Sequence, residues 1–262
     1  MPIYSSMDLR LENKVVLVTG STRGIGRGIA YAFLQEGARV CVTGRDQAGV
    51  AQTVKSFTDE FSTNQVEGFV GDLTDSTTIK KCIDATVSRW GQIDIAIANV
   101  GWGKAKPALQ ADQSEWERVF KTNFFGAMEL VRLVVPVIEK SGGSIVFISS
   151  IAGLEEIGAP LPYAAAKAAL TASVKGLADD LAPLKIRINA VAPGNILFSG
   201  GRWEEMIKAD LALEQQVLSQ VPLRRFGTPK EIAATVVFLA SEKSSFTTGA
   251  CLVVDGGQTR KI

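Results

Sequence analysis

Short runs of apolar, often β-branched residues recur along this chain, each followed by a longer stretch with helical spacing. That alternation leaves few folds open. Residues 14–19 (KVVLVT), 39–43, 66–70, 93–98, 143–149, 186–192 and 250–254 read as strands. Continuous apolar runs such as the first belong to strands covered on both faces. Between them the spacing predicts helices near 24–36, 46–61, 75–90, 112–139, 162–182 and 228–240, with Ile25, Ile29, Phe33 and Leu34 on one face of the first. Seven strands alternating with helices predict a doubly wound α/β fold, a mainly parallel sheet with helices on both faces. No Pro/Gly/Ser-rich stretch or charge run divides the 262 residues, so 1–262 reads as one domain. Residues 195–226 break the rhythm with Gly200-Gly201, a polar helical pattern to about 219, and Pro222. Such an insertion reads as a substrate lid beyond the carboxyl ends of the strands, or as a surface elaboration without consequence.

Composition narrows the chemistry. There is no histidine, which removes imidazole catalysis, the Ser-His-Asp triad and histidine-based zinc sites. Lys and Arg number 28 against 27 Asp and Glu, with no basic block, so neither nucleic acid nor an anionic membrane is an expected partner. Cys41, Cys82 and Cys251 are scattered and odd in number, as in a reduced cytoplasmic protein. The first residues, MPIYSSMDLRLENK, lack the apolar core of a signal peptide, and the longest apolar runs fall far short of a membrane span.

The first strand runs into Thr19-Gly20-Ser21-Thr22-Arg23-Gly24-Ile25-Gly26, and a helix follows. Glycines in that place permit a tight turn, let backbone amides approach a pyrophosphate, and allow close helix–sheet packing. Placed between first strand and amphipathic helix, the loop signals a dinucleotide. Cofactor choice is written about 20 residues on, where an acid suits the ribose of NAD and an arginine suits a 2′-phosphate. Here Thr43-Gly44-Arg45-Asp46 puts glycine where the acid is sought and Arg45 next to it. Arg23 supplies a second cation, which favours NADP(H); Asp46 on the ribose is the alternative, and would suit NAD(H).

Two polar residues fall on apolar helical faces. Asn123 lies in the stripe Trp116, Val119, Phe120, Ala127, Met128, Val131, either as a structural hydrogen-bonder or as part of a site. Lys167 shares a face with Tyr163, Leu170, Val174, Leu177 and Leu181. One turn apart, Tyr163 and Lys167 can point into one cleft. An ammonium beside a phenol favours the phenolate, which is how a chain without histidine could obtain an acid/base. A snorkelling lysine beside a packed tyrosine has the same spacing.

Together these pieces resemble the short-chain dehydrogenase/reductase family over nearly the whole chain. The matching segments are TGSTRGIG (19–26), GDL (71–73), ANVG (98–101), Asn123, ISS (148–150), YAAAK (163–167), VAPG (191–194) and VVDGG (253–257), in family order and spacing. The chain is most similar to 3-oxoacyl-[acyl-carrier-protein] reductases and related carbonyl reductases. The resemblance implies a Rossmann fold and hydride transfer between a nicotinamide and a ketone or secondary alcohol. It implies Tyr163 as general acid, Lys167 as the residue that lowers its pKa and holds the nicotinamide ribose, and Ser150 as hydrogen-bond donor to the substrate oxygen. Ser149 is the neighbouring alternative, but the thirteen-residue spacing to Tyr163 favours Ser150. Asn123 would hold a water in a proton relay. Cofactor contacts would come from Gly20, Thr22, Arg23, Gly24, Ile25 and Gly26, from Arg45, from Asp72 and Leu73 at the adenine, and from Asn99 and Gly101. Tyr163, Lys167, Pro193, Gly194 and Ile196 would meet the nicotinamide side. A homotetramer and a small carbonyl or alcohol substrate are implied too, and no metal is needed.

The sequence also departs from the family. Val100 stands where relatives have alanine, Phe198 where many have threonine, and Ser141 and Leu184 where carrier-protein reductases present docking arginines. Trp102, Leu154, Ile157, Phe198 and Trp203 are candidates to line the substrate pocket, with Glu155 and Glu156 forming an acidic rim or a solvated loop. An NAD-linked sugar, steroid or alcohol dehydrogenase, and a non-catalytic NADP(H) sensor, are the competing readings.

Overall fold

In β1 (Val15–Val18) successive side chains leave the strand on opposite sides. Val16 and Val18 join one buried layer, Val15 and Leu17 the other. A strand covered on both faces must be apolar throughout, so β1 shows an unbroken run rather than an alternation. The computed structural model describes residues 8–260. With β2 (Arg39–Gly44), β3 (Val66–Val70), β4 (Ile95–Ala98), β5 (Gly143–Ile148), β6 (Ile186–Pro193) and β7 (Cys251–Val254), β1 forms one parallel sheet in the order β3-β2-β1-β4-β5-β6-β7. All seven expected strands are present.

The helices are α1 (Gly24–Gln35), α2 (Gln47–Thr58), α3 (Ser76–Trp90), α4 (Gln113–Phe120), α5 (Gly126–Ile138), α6 (Leu161–Leu181), α7 (Arg202–Ala209), α8 (Leu211–Ser219) and α9 (Pro229–Ala240). Ile29 and Phe33 of α1, Phe57 of α2 and Ile232 of α9 cover one face of the sheet. Ile79 of α3, Leu130 of α5, and Leu170 and Val174 of α6 cover the other. Burying a side chain such as Phe33 contributes roughly 2–3 kcal/mol. The chain passes from β3 at one edge through α3 to β4, which lies on the other side of β1. The loops after β1 and β4 therefore diverge, opening a crevice at the carboxyl ends of these strands.

Two segments differ from the expected pattern. Instead of one helix over 112–139, α4 and α5 are joined by a π-helical turn, Lys121–Phe125. The wider turn is stabilised by side chains that reach back to the backbone: Thr122 Oγ1 donates to Arg118 O at 2.9 Å, and Asn123 Nδ2 to Val119 O at 3.0 Å. Apolar periodicity does not register one extra residue in a turn. The insertion holds two helices rather than one. The extended backbone of Asp210 ends α7, and its carboxylate caps α8 by accepting from Ala212 N at 3.0 Å. Its base is stapled by Gly227 N donating to Asn195 O and Leu197 N to Gly227 O, both at 2.9 Å.

Candidate active site

The turn from β1 to α1 depends on glycine at two left-handed positions, Gly20 (φ 65°) and Gly24 (φ 55°). Other residues pay roughly 1–2 kcal/mol there. A Cβ on Gly26 would run into the Gly20 carbonyl and the Asn99 amide. Asn99, just beyond β4, braces the loop by donating from Nδ2 to Thr19 O (2.9 Å) and Gly20 O (3.0 Å). Thr43 on β2 accepts from Gly20 N at 2.9 Å. Asp46, Asp75 and Thr228 cap α2, α3 and α9 with their side chains, whereas α1 starts at Arg23 without a side-chain cap. Bare N–H groups at the positive end of a helix, over a glycine turn that admits no Cβ, fit a dinucleotide pyrophosphate. The Phe198 ring packs against Gly24, its Cζ lying 2.5 Å from where a Cβ would stand.

At the end of β2, Thr22, Arg23, Arg27, Arg45 and Asp46 line a polar hollow. A side chain at Gly44 would come within 2.7 Å of Thr22 Cγ2, so Thr22 and an acid at position 44 compete for one space. Asp46 accepts from Gly49 N at 2.7 Å as the cap of α2. Arg27 donates to Ser56 Oγ at 2.9 Å and lies over the Phe57 ring. Arg23 spans this hollow and the main cavity, donating to Gly200 O at 3.3 Å and lying 5.9 Å from the centre of the Trp102 ring. Arg45 stands exposed at the mouth.

Beyond β5 the two neighbouring serines part. Ser149 is buried against α6, sharing a 2.6 Å hydrogen bond with Thr171 Oγ1 and donating to Lys167 O at 3.2 Å. Ser150 faces the cavity beside Tyr163, its Oγ accepting from Ala152 N at 3.2 Å and its hydroxyl near enough to lower the phenol's pKa. Lys167, 3% exposed, donates from Nζ to Ile148 O at 2.7 Å and lies 6.0 Å from the centre of the Tyr163 ring. Burial pushes the ammonium down to about 8. Burial also raises the phenol above its ordinary value, opposed by the Ser150 hydroxyl and the Arg202 guanidinium. The expectation of a lowered phenol therefore differs from the geometry: desolvation is the larger effect, and the lysine charge is directed at a carbonyl.

Asn123 is 1% exposed on the π turn. It accepts from Trp102 N at 2.9 Å and donates to Trp102 O at 3.2 Å, tying the loop after β4 to the helix. A Cβ on Gly101 would sit 3.1 Å from Asn123 Oδ1 and 3.2 Å from Lys167 Nζ, so these two polar groups meet across a glycine.

A cavity of about 280 Å³ runs from Gly20 and Ile25, past Asn99 and Gly101, to Ser150, Tyr163, Lys167, Pro193, Gly194 and Ile196. It adjoins a second, of about 400 Å³, at Gly103, Ser150, Tyr163, Gly194, Arg202 and Trp203. The second is closed by Ile157 and Pro160 before α6, and by Met206 and Val217 from α7 and α8. The insertion thus roofs a cleft centred on Tyr163. It is pinned by Arg202 donating to Gly103 O and by a 2.6 Å ion pair between Lys104 and Glu205.

Of the residues singled out in the sequence, Gly20, Arg23, Ile25, Asn99, Gly101, Ser150, Tyr163, Lys167, Pro193, Gly194 and Ile196 share the first cavity. Thr22 and Arg45 share the polar hollow, while Gly24 and Gly26 form the turn between. Asn123 touches the site only through the backbone of Trp102 and the gap at Gly101. Leu73 is buried in the apolar layer, and Asp72 accepts from Thr74 N and Oγ1 at the end of β3. Trp102, Ile157, Phe198 and Trp203 line the cavities; Leu154, Glu155 and Glu156 do not. Glu156 accepts from Gly158 N at 2.6 Å and Glu155 from Arg260 N at 2.9 Å, so the suggested acidic rim points elsewhere. Arg202 was not anticipated. Nothing in GGRW distinguishes it from a solvated arginine.

Comparisons with known proteins match nearly the whole chain. The family model described as enoyl-(acyl carrier protein) reductase matches residues 20–259. A 3-oxoacyl-[acyl-carrier-protein] reductase of Thermotoga maritima is 35% identical over 250 residues, 95% of this chain and 99% of the relative. A 7α-hydroxysteroid dehydrogenase complexed with NADH and 7-oxo glycochenodeoxycholic acid superposes with a TM-score of 0.90 at 32% identity, covering 99% of both chains. L-sorbose reductase from Gluconobacter frateurii, complexed with NADPH and L-sorbose, gives 0.92 at 28% identity over 98% of this chain and 100% of that one.

Proposed function

Since this chain belongs to the short-chain dehydrogenase/reductase family, we propose that it is an NADP(H)-dependent oxidoreductase interconverting a ketone and a secondary alcohol. One arrangement carries the reading: Ser150, Tyr163 and Lys167 line one cavity, whose other end is the glycine turn at the start of α1. A bound nicotinamide supplies or accepts the hydride. In reduction, the Tyr163 phenol gives its proton to the oxygen that becomes the alcohol, and Ser150 donates a hydrogen bond to the same oxygen as charge develops on it. The Lys167 ammonium, fixed on Ile148 O and 6.0 Å from the centre of the Tyr163 ring, would hold the nicotinamide ribose, and its charge would favour the phenolate left once the proton has gone. Asn123 orients the loop after β4 and keeps the gap at Gly101 open to a water that links Lys167 to solvent.

The resembling structures hold NADH in one case and NADPH in the other, so cofactor choice rests on the end of β2. Glycine at 44, Asp46 engaged as a helix cap, and Arg45 beside Arg23 and Arg27 all favour a 2′-phosphate. Asp72 and Leu73 would flank the adenine, and the insertion acts as the substrate lid. Exposed Leu252 and Val253 on edge strand β7, and exposed Phe125 beside α5, are apolar surfaces suited to a homotetramer. Three free thiols, two of them buried, suit the cytoplasm.

The experiment is oxidation of NADPH, then NADH, against a panel of ketones, with Tyr163→Phe as control. NADPH oxidation that vanishes in the variant is expected. Turnover with NADH alone would overturn the cofactor assignment, and turnover unchanged by Tyr163→Phe would overturn the mechanism.

A further inference from the structure

The cavity of about 400 Å³ beside Tyr163 has an unusual electrical character. Its lining is apolar, with Ile151, Ile157, Met206 and Val217 prominent, plus the amides of Gln216, Gln220 and Gln258. Among the described residues it contains one charged side chain, Arg202, and no carboxylate. Arg202 also lines the first cavity and lies close enough to Tyr163 to lower the phenol's pKa. The two side chains converge on Gly103: a Cβ there would be 3.8 Å from Arg202 Cδ and 4.0 Å from Tyr163 Cζ.

Neighbouring ions do not neutralise it at contact range. Glu205, which lines the first cavity and feels the Arg202 charge, is paired with Lys104 at 2.6 Å, and Glu204 with Lys208 at 3.3 Å. Arg202 makes its hydrogen bond to the neutral Gly103 carbonyl. A guanidinium carries five N–H donors in a planar fork matched to a carboxylate, and one carbonyl engages only part of it. A partly buried cation in an apolar cavity is costly unless an anion joins it.

We propose that the substrate is a ketone bearing a carboxylate, and that Arg202 binds this carboxylate while the ketone oxygen rests on Tyr163 and Ser150. This deepens the reading of the site as a ketone reductase and rests on it. Arg202 is on this account a specificity-determining residue carried by the lid, so carboxylate binding also fixes α7 over the reacting carbon.

The test is calorimetric and does not need the natural substrate. The NADPH-bound enzyme is titrated with cyclohexanecarboxylate and with the isosteric cyclohexanecarboxamide. The carboxylate is expected to bind at least tenfold more tightly. That preference should disappear in Arg202→Gln, which keeps a donor for Gly103 O but removes the charge, return in part in Arg202→Lys, and survive in Tyr163→Phe. In turnover, 4-oxocyclohexanecarboxylate should show a KM at least tenfold below that of its methyl ester in the wild type, and similar to it in Arg202→Gln. Equal affinity for acid and amide, or a preference that persists in Arg202→Gln, would overturn the proposal. Ester turnover lost on Tyr163→Phe, without any carboxylate preference, would sink the substrate class and leave the reductase reading standing. Carboxylate preference in an enzyme whose turnover ignores Tyr163→Phe would do the reverse.

Discussion

The ammonium of Lys167 is held by the main-chain oxygen of Ile148, 2.7 Å away, at the last residue of the interior strand β5. No carboxylate shares this bond, so the charge is buried against a dipole alone. That relationship fixes the lysine beside Tyr163 and makes it a source of instability.

The sign of that instability follows from its pKa, which burial lowers from 10.5 to about 8. The unfolded chain binds this proton more tightly, so stability gained from this group rises with pH from about 8 to 10.5 and is lowest below 8, where the buried charge is fully present. The difference is on the order of 3 kcal/mol, offset by about 1 kcal/mol for the hydrogen bond. Lys167→Met should therefore be inactive yet more stable at pH 7 by about 1–3 kcal/mol, measured by denaturant unfolding. Equal or lower stability would contradict the account.

Burial pushes the Tyr163 phenol above 10, so reduction keeps its proton donor across the neutral range, whereas alcohol oxidation should speed up as pH rises. Removing the Arg202 charge should move the alkaline limb of the oxidation profile to higher pH. A limb that moves down on Arg202→Gln would be inconsistent with the geometry.

Gly101→Ala tests the junction between Asn123 and Lys167. The new methyl would press on both Asn123 Oδ1 and Lys167 Nζ, at 3.1 and 3.2 Å. Displacing them should lower kcat about tenfold or more. The backbone at 101 is not left-handed, so thermal stability should change little. A wild-type kcat would show that the junction has slack.

Gly44→Asp, the simplest attempt to create an NAD-type acid, should weaken binding of both cofactors. Its Cβ would stand 2.7 Å from Thr22 Cγ2 and distort the phosphate loop. Thr22→Gly in the same chain should restore NADH binding. Fluorescence titration of both nucleotides separates these outcomes.

Next to the Gly227 staple, Thr228 caps α9 in a reciprocal box with Glu231. Thr228→Ala should cost about 1 kcal/mol, lowering Tm by roughly 2–4 °C, with kcat unchanged. Calorimetry and a standard assay check both halves.

The strand pattern was readable because a parallel sheet buried on both faces demands unbroken apolar runs, as in VVLV of β1, and the glycine turn because left-handed backbone at Gly20 and Gly24 demands glycine. Tyr163 and Lys167 were readable because four residues make about one turn of α6. These are short-range consequences of backbone geometry, and the sequence by itself determined them. Only the tertiary structure decided that Ser150 faces the cleft while Ser149 turns into α6, that the helix over 112–139 opens into a π turn at Asn123, and that Arg202 reaches Tyr163 from 39 positions along the chain. The balance of charges at the phenol belongs to the same class. It depends on how deeply each group is buried and on which neighbours the fold brings within a few ångströms, and no local periodicity encodes either.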